Sequence, residues 1–276
     1  MKTEKTFFVL SDVHGEAKVL EKELNASGFS KRDKNHMLVF LGDMFDRGPN
    51  SYSIYHFLMD FKRQGRAIVL KGNHETFFQE FLSLGTSKDK LLKKQVIFNM
   101  LHNGLDKTIE SFCHSMGHED DEGGIDYLFK QYTVLGLSEM LNNNYPKLLS
   151  DIRKMPVYFE TDHFIFSHAG ISPLAYADTW KEDIDHMLWD IKNSHKEITY
   201  TDKTVVFGHH HAAKVRTLSH GNGGDVRLNE NIIAVHAPNQ ENRPFQINNK
   251  IAIDACTNLS KAINILVIKD TYEVEQ

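Results

Sequence analysis

Two cysteines, Cys113 and Cys256, are all that 276 residues contain, and they stand far apart. That speaks against a disulfide framework and fits a reducing compartment. No apolar run approaches the length needed to span a membrane. Phe7-Phe8-Val9-Leu10, preceded by Lys2 and Lys5, is too short for a signal peptide, so a cytoplasmic protein is expected. Positive charge is not in surplus either. A net charge of −5 gives no electrostatic reason for nucleic-acid binding, and no aromatic stacking pair is attached to a basic groove. Internal repeats and low-complexity linkers are missing too. What is left, with 25% charged and 41% hydrophobic residues, is a globular α/β chain able to bury a substantial core.

Histidine, by contrast, is abundant: sixteen, several directly after apolar runs, where metal ligands or catalytic groups sit. The densest polar stretch is Gly42-Asp43-Met44-Phe45-Asp46-Arg47-Gly48, with two acids and an arginine between glycines. Ser11-Asp12-Val13-His14-Gly15 precedes it and Gly72-Asn73-His74-Glu75 follows it, at intervals of about thirty residues, the spacing of successive βαβ units. Each follows a strand pattern: Thr6 to Leu10, Met37 to Leu41 and Ala67 to Leu70 are apolar without alternation, as in strands covered on both faces. Helices are expected over Glu16 to Ser27, around the stripe Ile54, Phe57, Leu58 and Phe61, and after Asn73, which would cap its helix. Further strands are read at Asp162 to Phe166, Thr204 to Phe207, Ile232 to Val235, Ile251 to Ile253 and Ile263 to Ile268.

From about Thr86 to Leu149 no strand pattern appears. Residues 86–150 read as a mostly helical insertion within one domain spanning 1–276, packed over one sheet edge as a cap. Its lysines (Lys88, Lys90, Lys93, Lys94) and acids (Glu119 to Glu122) read as solvated surface.

Five strand ends thus deliver Asp12/His14, Asp43/Asp46/Arg47, Asn73/His74, His168 and His209/His211. Singly, each has a structural explanation: a turn, a helix cap, an interior histidine. Together they are a donor set of oxygen and nitrogen without sulfur, suited to Mn²⁺, Fe or Zn²⁺. Six or seven donors are too many for one tetrahedral ion and enough for two sharing a carboxylate, with Asp43 the natural bridge. Two ions about 4 Å apart are a standard device for displacement at phosphorus. Arg47 could bind phosphate through its planar fork. His74, held by Asp46, could protonate a leaving oxygen.

These motifs, in this order, resemble the metallophosphoesterase superfamily. Arg47-Gly48 and Asn73-His74-Glu75 narrow the likeness to the phosphoprotein phosphatase branch, with its serine/threonine phosphatases and symmetrical diadenosine tetraphosphate hydrolases. Asn103-Gly104 with Thr108 and Ser111, Met155-Pro156, Gly170-Ile171 with Pro173, Leu188-Trp189 and Ile253-Asp254-Ala255-Cys256 extend it over nearly the whole chain. The resemblance implies a calcineurin-like α/β fold, a central β-sandwich flanked by helices in four αββα layers. It implies Asp12, His14 and Asp43 on a first metal, and Asp43, Asn73, His168 and His209 on a second. It implies His74 with Asp46 as the acid, Arg47 on phosphate, and attack by metal-bound hydroxide with no phosphoenzyme. Two departures stand out. Leu188-Trp189 is followed by Asp190-Ile191-Lys192 where relatives place a phosphate-binding arginine; Lys192 would be a surface lysine or its substitute. Gly208-His209-His210-His211 resembles the Gly-His-x-His ending of the wider superfamily, where the second histidine binds metal, so His211 joins the first site as a candidate.

The expected activity is a metal-dependent phosphomonoesterase with two divalent ions, Mn²⁺ foremost, acting on phosphoserine or phosphothreonine in proteins. The alternatives are a nucleotide-type phosphohydrolase (dinucleoside polyphosphate, cyclic nucleotide or RNA end) and, more remotely, a non-catalytic binding protein. Partners are a phosphorylated protein or small phosphoester, with no membrane.

Overall fold

The computed structural model describes residues 2–89, 91–118, 124–175 and 177–273. Lys90 and the acids at 119–122 lie outside the described residues. Two five-stranded mixed sheets form the centre. The first has the order β3-β2-β1-β10-β7, from β1 (Lys2–Leu10), β2 (His36–Phe40), β3 (Ala67–Val69), β7 (Ile232–His236) and β10 (Ile265–Glu273). The second has the order β4-β5-β6-β9-β8, from β4 (Tyr158–Glu160), β5 (Phe164–Ser167), β6 (Thr204–Phe207), β8 (Phe245–Ile247) and β9 (Lys250–Ala252). In each, three parallel strands lie together: β1, β2 and β3 in one, β5, β6 and β9 in the other.

Alternation sorts the side chains of each strand to two faces. Phe7, Val9, Met37, Val39 and Leu41 meet Phe164, Phe166, Val206, Ile251 and Ile253 between the sheets. Phe8, Leu10, Leu38 and Phe40 point the other way, into a core shared with the helices. These are α1 (Ala17–Ala26), α2 (Ser51–Arg63) and α3 (Asn73–Leu82). That core also takes in Leu105, Ile109, Phe112, Leu137 and Leu141, from α5 (Leu105–His114) and α7 (Val134–Asn144). On the outer face of the second sheet, Ile165 and Val205 pack with Trp180 and Met187, and Phe207 and Ala252 with Ala212 and Val215. Helix, sheet, sheet and helix therefore form four layers, as expected.

The segment between α3 and β4 is helical: α4 (Leu92–His102), α5, α6 (Gly124–Gln131), α7 and α8 (Leu148–Arg153). It buttresses the site from the side: the carbonyl of Gly104 accepts the backbone N–H of Arg47 at 3.1 Å. Two details differ from the sequence reading. The short strands β4 and β8, three residues each, were not anticipated. Asn73 is the first residue of α3 rather than its cap; Gly72 holds that position. Among the described residues no helix is long and apolar enough to cross a membrane.

Candidate metal centre

The parallel strands of both sheets end on the same side, and their following turns interlock. Asp12 N–H donates to Gly42 O at 3.1 Å, and Gly208 N–H to His168 O at 2.8 Å. His209 N–H reaches the carboxylate of Asp12 at 3.0 Å, across 197 residues of sequence. The backbone in these turns is unusual. Of ten non-glycine residues with positive φ among the described residues, six are Asp12, His14, Asp43, Asp46, Arg47 and His209. Left-handed backbone costs a non-glycine residue about 1–3 kcal/mol and clusters at functional sites. Close approach also demands glycine: a Cβ on Gly72 would fall on Asp43 Oδ1 and lie 2.8 Å from Asp43 N.

Asp43, 2% exposed, stands at the middle. Its carboxylate oxygens lie 3.7 Å from His14 Nε2, 3.8 Å from His74 Nε2 and 3.4 Å from His168 Nε2. Among the described residues two groups with converging ligand atoms result: His14, Asp43 and His74; and Asp43, His168 and His209. They share Asp43, the carboxylate read from the sequence as a bridge; beside His14 and Asp43 the converging third residue is His74, where the sequence reading had Asp12. Asp12 falls in neither, its carboxylate being turned to His209 N. His211 also falls in neither; its Nε2 lies 3.8 Å from Asp254 Oδ2.

The partners of the rings define their protons. His14 Nδ1 faces Phe45 O at 2.9 Å and His168 Nδ1 faces Leu41 O at 2.9 Å. A carbonyl only accepts, so both Nδ1 atoms carry hydrogen and each neutral ring turns its Nε2 lone pair inward. Burial lowers the pKa of both rings, and for His14 the neighbouring His74 and Arg47 lower it further. His168 Nε2 then lies 2.9 Å from Asn73 Oδ1 and 3.2 Å from His209 Nδ1. A ring lone pair facing an amide oxygen has no proton to share, and a cation removes the repulsion. Burial also pushes Asp43 well above the usual carboxylate range, helped by the charges of Asp12 and Glu75. Surplus buried acceptors and surplus buried negative charge fit divalent cations.

His74 and Asp46 are paired as expected, Nδ1 to Oδ2 at 2.6 Å, both buried. Thr108 Oγ1 holds Asp46 twice, accepting its backbone N–H and donating to Oδ1, each at 2.7 Å. Arg47 reaches in from the surface. Its guanidinium lies 2.9 Å from His14 Nε2 and 3.1 Å from His74 Nε2. Arginine only donates, so the Nδ1 of His74 carries the hydrogen shared with Asp46. Burial opposes charge on both members: it pushes Asp46 up to about 8 and His74 well below its ordinary value.

Sequence reasoning gave no role to Glu75. Its carboxylate accepts the N–H groups of Asp43 and Gly72 on Oε2, at 2.8 and 2.7 Å, and that of Met44 on Oε1 at 2.8 Å. The Gly72-to-Glu75 interval, that of a capping box, was the available signal. Lys192 is exposed, while Asp190 folds back onto Asn193.

The family model of calcineurin-like phosphoesterases matches residues 5–223. Serine/threonine-protein phosphatase 2 of Escherichia coli (strain K12) is 27% identical over 184 residues, 58% of this chain and 78% of that protein. Among solved structures, a protein serine/threonine phosphatase from Saccharomyces cerevisiae matches with a TM-score of 0.48 and 13% identity, over 99% of this chain and 81% of that one. A candidate diadenosine tetraphosphatase matches with a TM-score of 0.47 and 16% identity, over 96% and 93% of the two chains. The strand-end residues and the family match together make this chain a member of the calcineurin-like phosphoesterase family, a metal-dependent phosphoester hydrolase.

Proposed function

We propose that this chain is a serine/threonine protein phosphatase that hydrolyses phosphomonoesters with two Mn²⁺ ions. The observation that carries the reading is one continuous arrangement. Two donor groups share Asp43; His74, a member of the first, is paired with Asp46 and faced by the Arg47 guanidinium. In this reading Asp12, His14 and Asp43 hold the first ion, with His211 as a further ligand. Asp43, Asn73, His168 and His209 hold the second. When bound, such ions supply the positive charge and water activation that displacement at phosphorus needs.

The chain's own groups do the rest. Arg47 presents two N–H donors in a plane, the shape that two phosphoryl oxygens accept. To take phosphate it turns those donors from the Nε2 atoms of His14 and His74. That frees His74 Nε2 to carry a proton, and the Asp46 carboxylate favours the resulting imidazolium. His74 then delivers the proton to the leaving oxygen. Thr108 keeps Asp46 from rotating away. The helical segment 86–150 is read as an insertion in a single domain.

The test is a phosphatase screen of purified protein across metals and substrates. Phosphate release from phosphoserine and phosphothreonine peptides is expected with Mn²⁺ and not after chelation. A much higher kcat/KM on a dinucleoside polyphosphate or cyclic nucleotide would move the assignment to a nucleotide enzyme.

A further inference from the structure

The face of α4 turned away from the core is apolar and basic. Val96, Asn99 and Met100 are its buried residues, and Val96 and Met100 belong to the core shared with the first sheet. On the other side Leu91, Lys94, Phe98 and Leu101 follow at intervals of three, four and three, one stripe of a helix. Leu91 is 67% exposed, Phe98 52% and Leu101 74%, with Ile97 beside them at 39%. Large apolar side chains gathered on one exposed face mark a contact surface, where scattered ones would not. The charge of this face has one sign. Lys94 in the stripe and Lys93 at its border are exposed, and residues 91–105 hold no Asp or Glu.

The stripe ends at the site. Leu101 stands three residues before Gly104, at most about 11 Å away along the chain. Gly104 is packed on Arg47: its carbonyl takes the Arg47 N–H, and a Cβ on it would lie 3.1 Å from Arg47 Cγ. From that end α4, eleven residues long, runs for about 16 Å. An extended polypeptide covers the same length in about five residues.

We propose that this face of α4 docks the phosphoprotein substrate, taking a segment of apolar and acidic residues that flanks the phosphorylated one. With the phosphate on Arg47, Leu101, Phe98 and Leu91 receive its apolar side chains in turn, and Lys93 and Lys94 draw its carboxylates. The inference rests on the protein phosphatase reading.

The test is steady-state kinetics of the full-length chain with Mn²⁺ on p-nitrophenyl phosphate, a phosphoserine tripeptide and two longer peptides. Each longer peptide has a central phosphoserine with about eight residues on either side, rich in Leu and Glu in one and in Ser and Lys in the other. The wild type is expected to show a kcat/KM on the Leu/Glu peptide about 10-fold above that on the tripeptide or the Ser/Lys peptide. Phe98→Ser with Leu101→Ser should remove that advantage through KM and leave p-nitrophenyl phosphate unchanged. Lys93→Glu with Lys94→Glu should do the same and abolish the rise of KM with salt. All four side chains are exposed, so both variants should fold, which circular dichroism checks. A wild-type KM on the Leu/Glu peptide in either variant overturns the proposal. So does a serine variant that loses a dimer, or binding to phosphatidylserine vesicles, while its peptide KM stays put: α4 would then face a second copy or a lipid surface. A wild-type chain that splits p-nitrophenyl phosphate and no phosphoserine peptide refutes the protein phosphatase reading itself, a separate outcome.

Discussion

Glu75 holds Asp43 by its backbone: the Glu75 carboxylate accepts the Asp43 N–H at 2.8 Å, one of three buried N–H groups it receives. Burial raises Glu75 to about 7 and those N–H groups oppose the rise. In Glu75→Gln the amide NH₂ must face at least one of these donors. The expected cost is about 2–4 kcal/mol, since a buried donor is left unpaired. Thermal unfolding of the metal-free protein reads this directly, and Mn²⁺ affinity should fall with it. An unchanged melting temperature would show that other acceptors serve the three groups.

His74 touches Asp46 and Arg47, and the proposed assignment gives it no ion to hold although it converges with His14 and Asp43, so its removal tests whether chemistry separates from metal loading. His74→Asn should lower kcat by about 10²–10⁴-fold, the usual worth of a positioned proton donor. Metal content should stay near that of the wild type. Unchanged turnover would remove His74 from the role of acid.

Thr108 reaches Asp46 from α5, 62 residues away. Thr108→Val keeps the shape, strips a donor from Asp46 Oδ1 and leaves the Asp46 N–H without its acceptor. A loss of about 1–3 kcal/mol in stability is expected, together with a fall in kcat that exceeds any change in KM. Thr108→Ser should restore both. A kcat that stays at the wild-type value in the valine variant would show that Asp46 keeps its orientation without this hydroxyl.

Lys250 gives the chain a pH dependence away from the metal centre. It is 1% exposed, donates to Asn193 O at 3.0 Å and lies 5.1 Å from the Phe207 ring centroid. Burial lowers its pKa to about 8, against the pull of Asp190. An unfolded lysine titrates near 10.4, so from about pH 8 to about 10.5 the unfolded chain binds more protons and stability rises with pH. Lys250→Met lacks this rise. Between about pH 7.5 and 10.5 the wild type should gain about 2–3 kcal/mol on the variant in urea melts. Parallel pH curves for the two proteins would place the ammonium in water.

Much of the site could be read from sequence because its residues follow unbroken apolar runs, and a parallel strand buried on both faces is such a run. Phe7 to Leu10 and Val205 to Phe207 announce what comes next. The edge strands β4 and β8 are three residues long and carry Glu160 and Gln246, so no run marks them. The sandwich itself followed from the family resemblance, not from pattern: β1 pairs with β10 from the far end of the sequence, which no local signal reports. Glu75 and Thr108 stayed without roles for the same reason. What they hold is backbone or a side chain brought near by folding. The central place of Asp43 among the strand-end motifs, by contrast, needed only residue types and spacing, whereas the convergence of His74 rather than Asp12 on His14 and Asp43 did not show in the sequence.

The pairing of β1 with β10 has a consequence for the order of events during synthesis. Lys2 to Val9 lies beside Glu273 to Leu266 along the whole strand, so the first sheet stays split until β10 has been made. Asp12, His14, Asp43 and Asn73 leave the ribosome long before His168 and His209. For that interval they face no second sheet. Such distant pairing makes folding slow, because the entropy of closing a long loop is lost before the contacts form. On the proposed ligand assignment, the site would therefore be completed late in folding, and an ion taken up earlier would meet only the residues of the first sheet's turns.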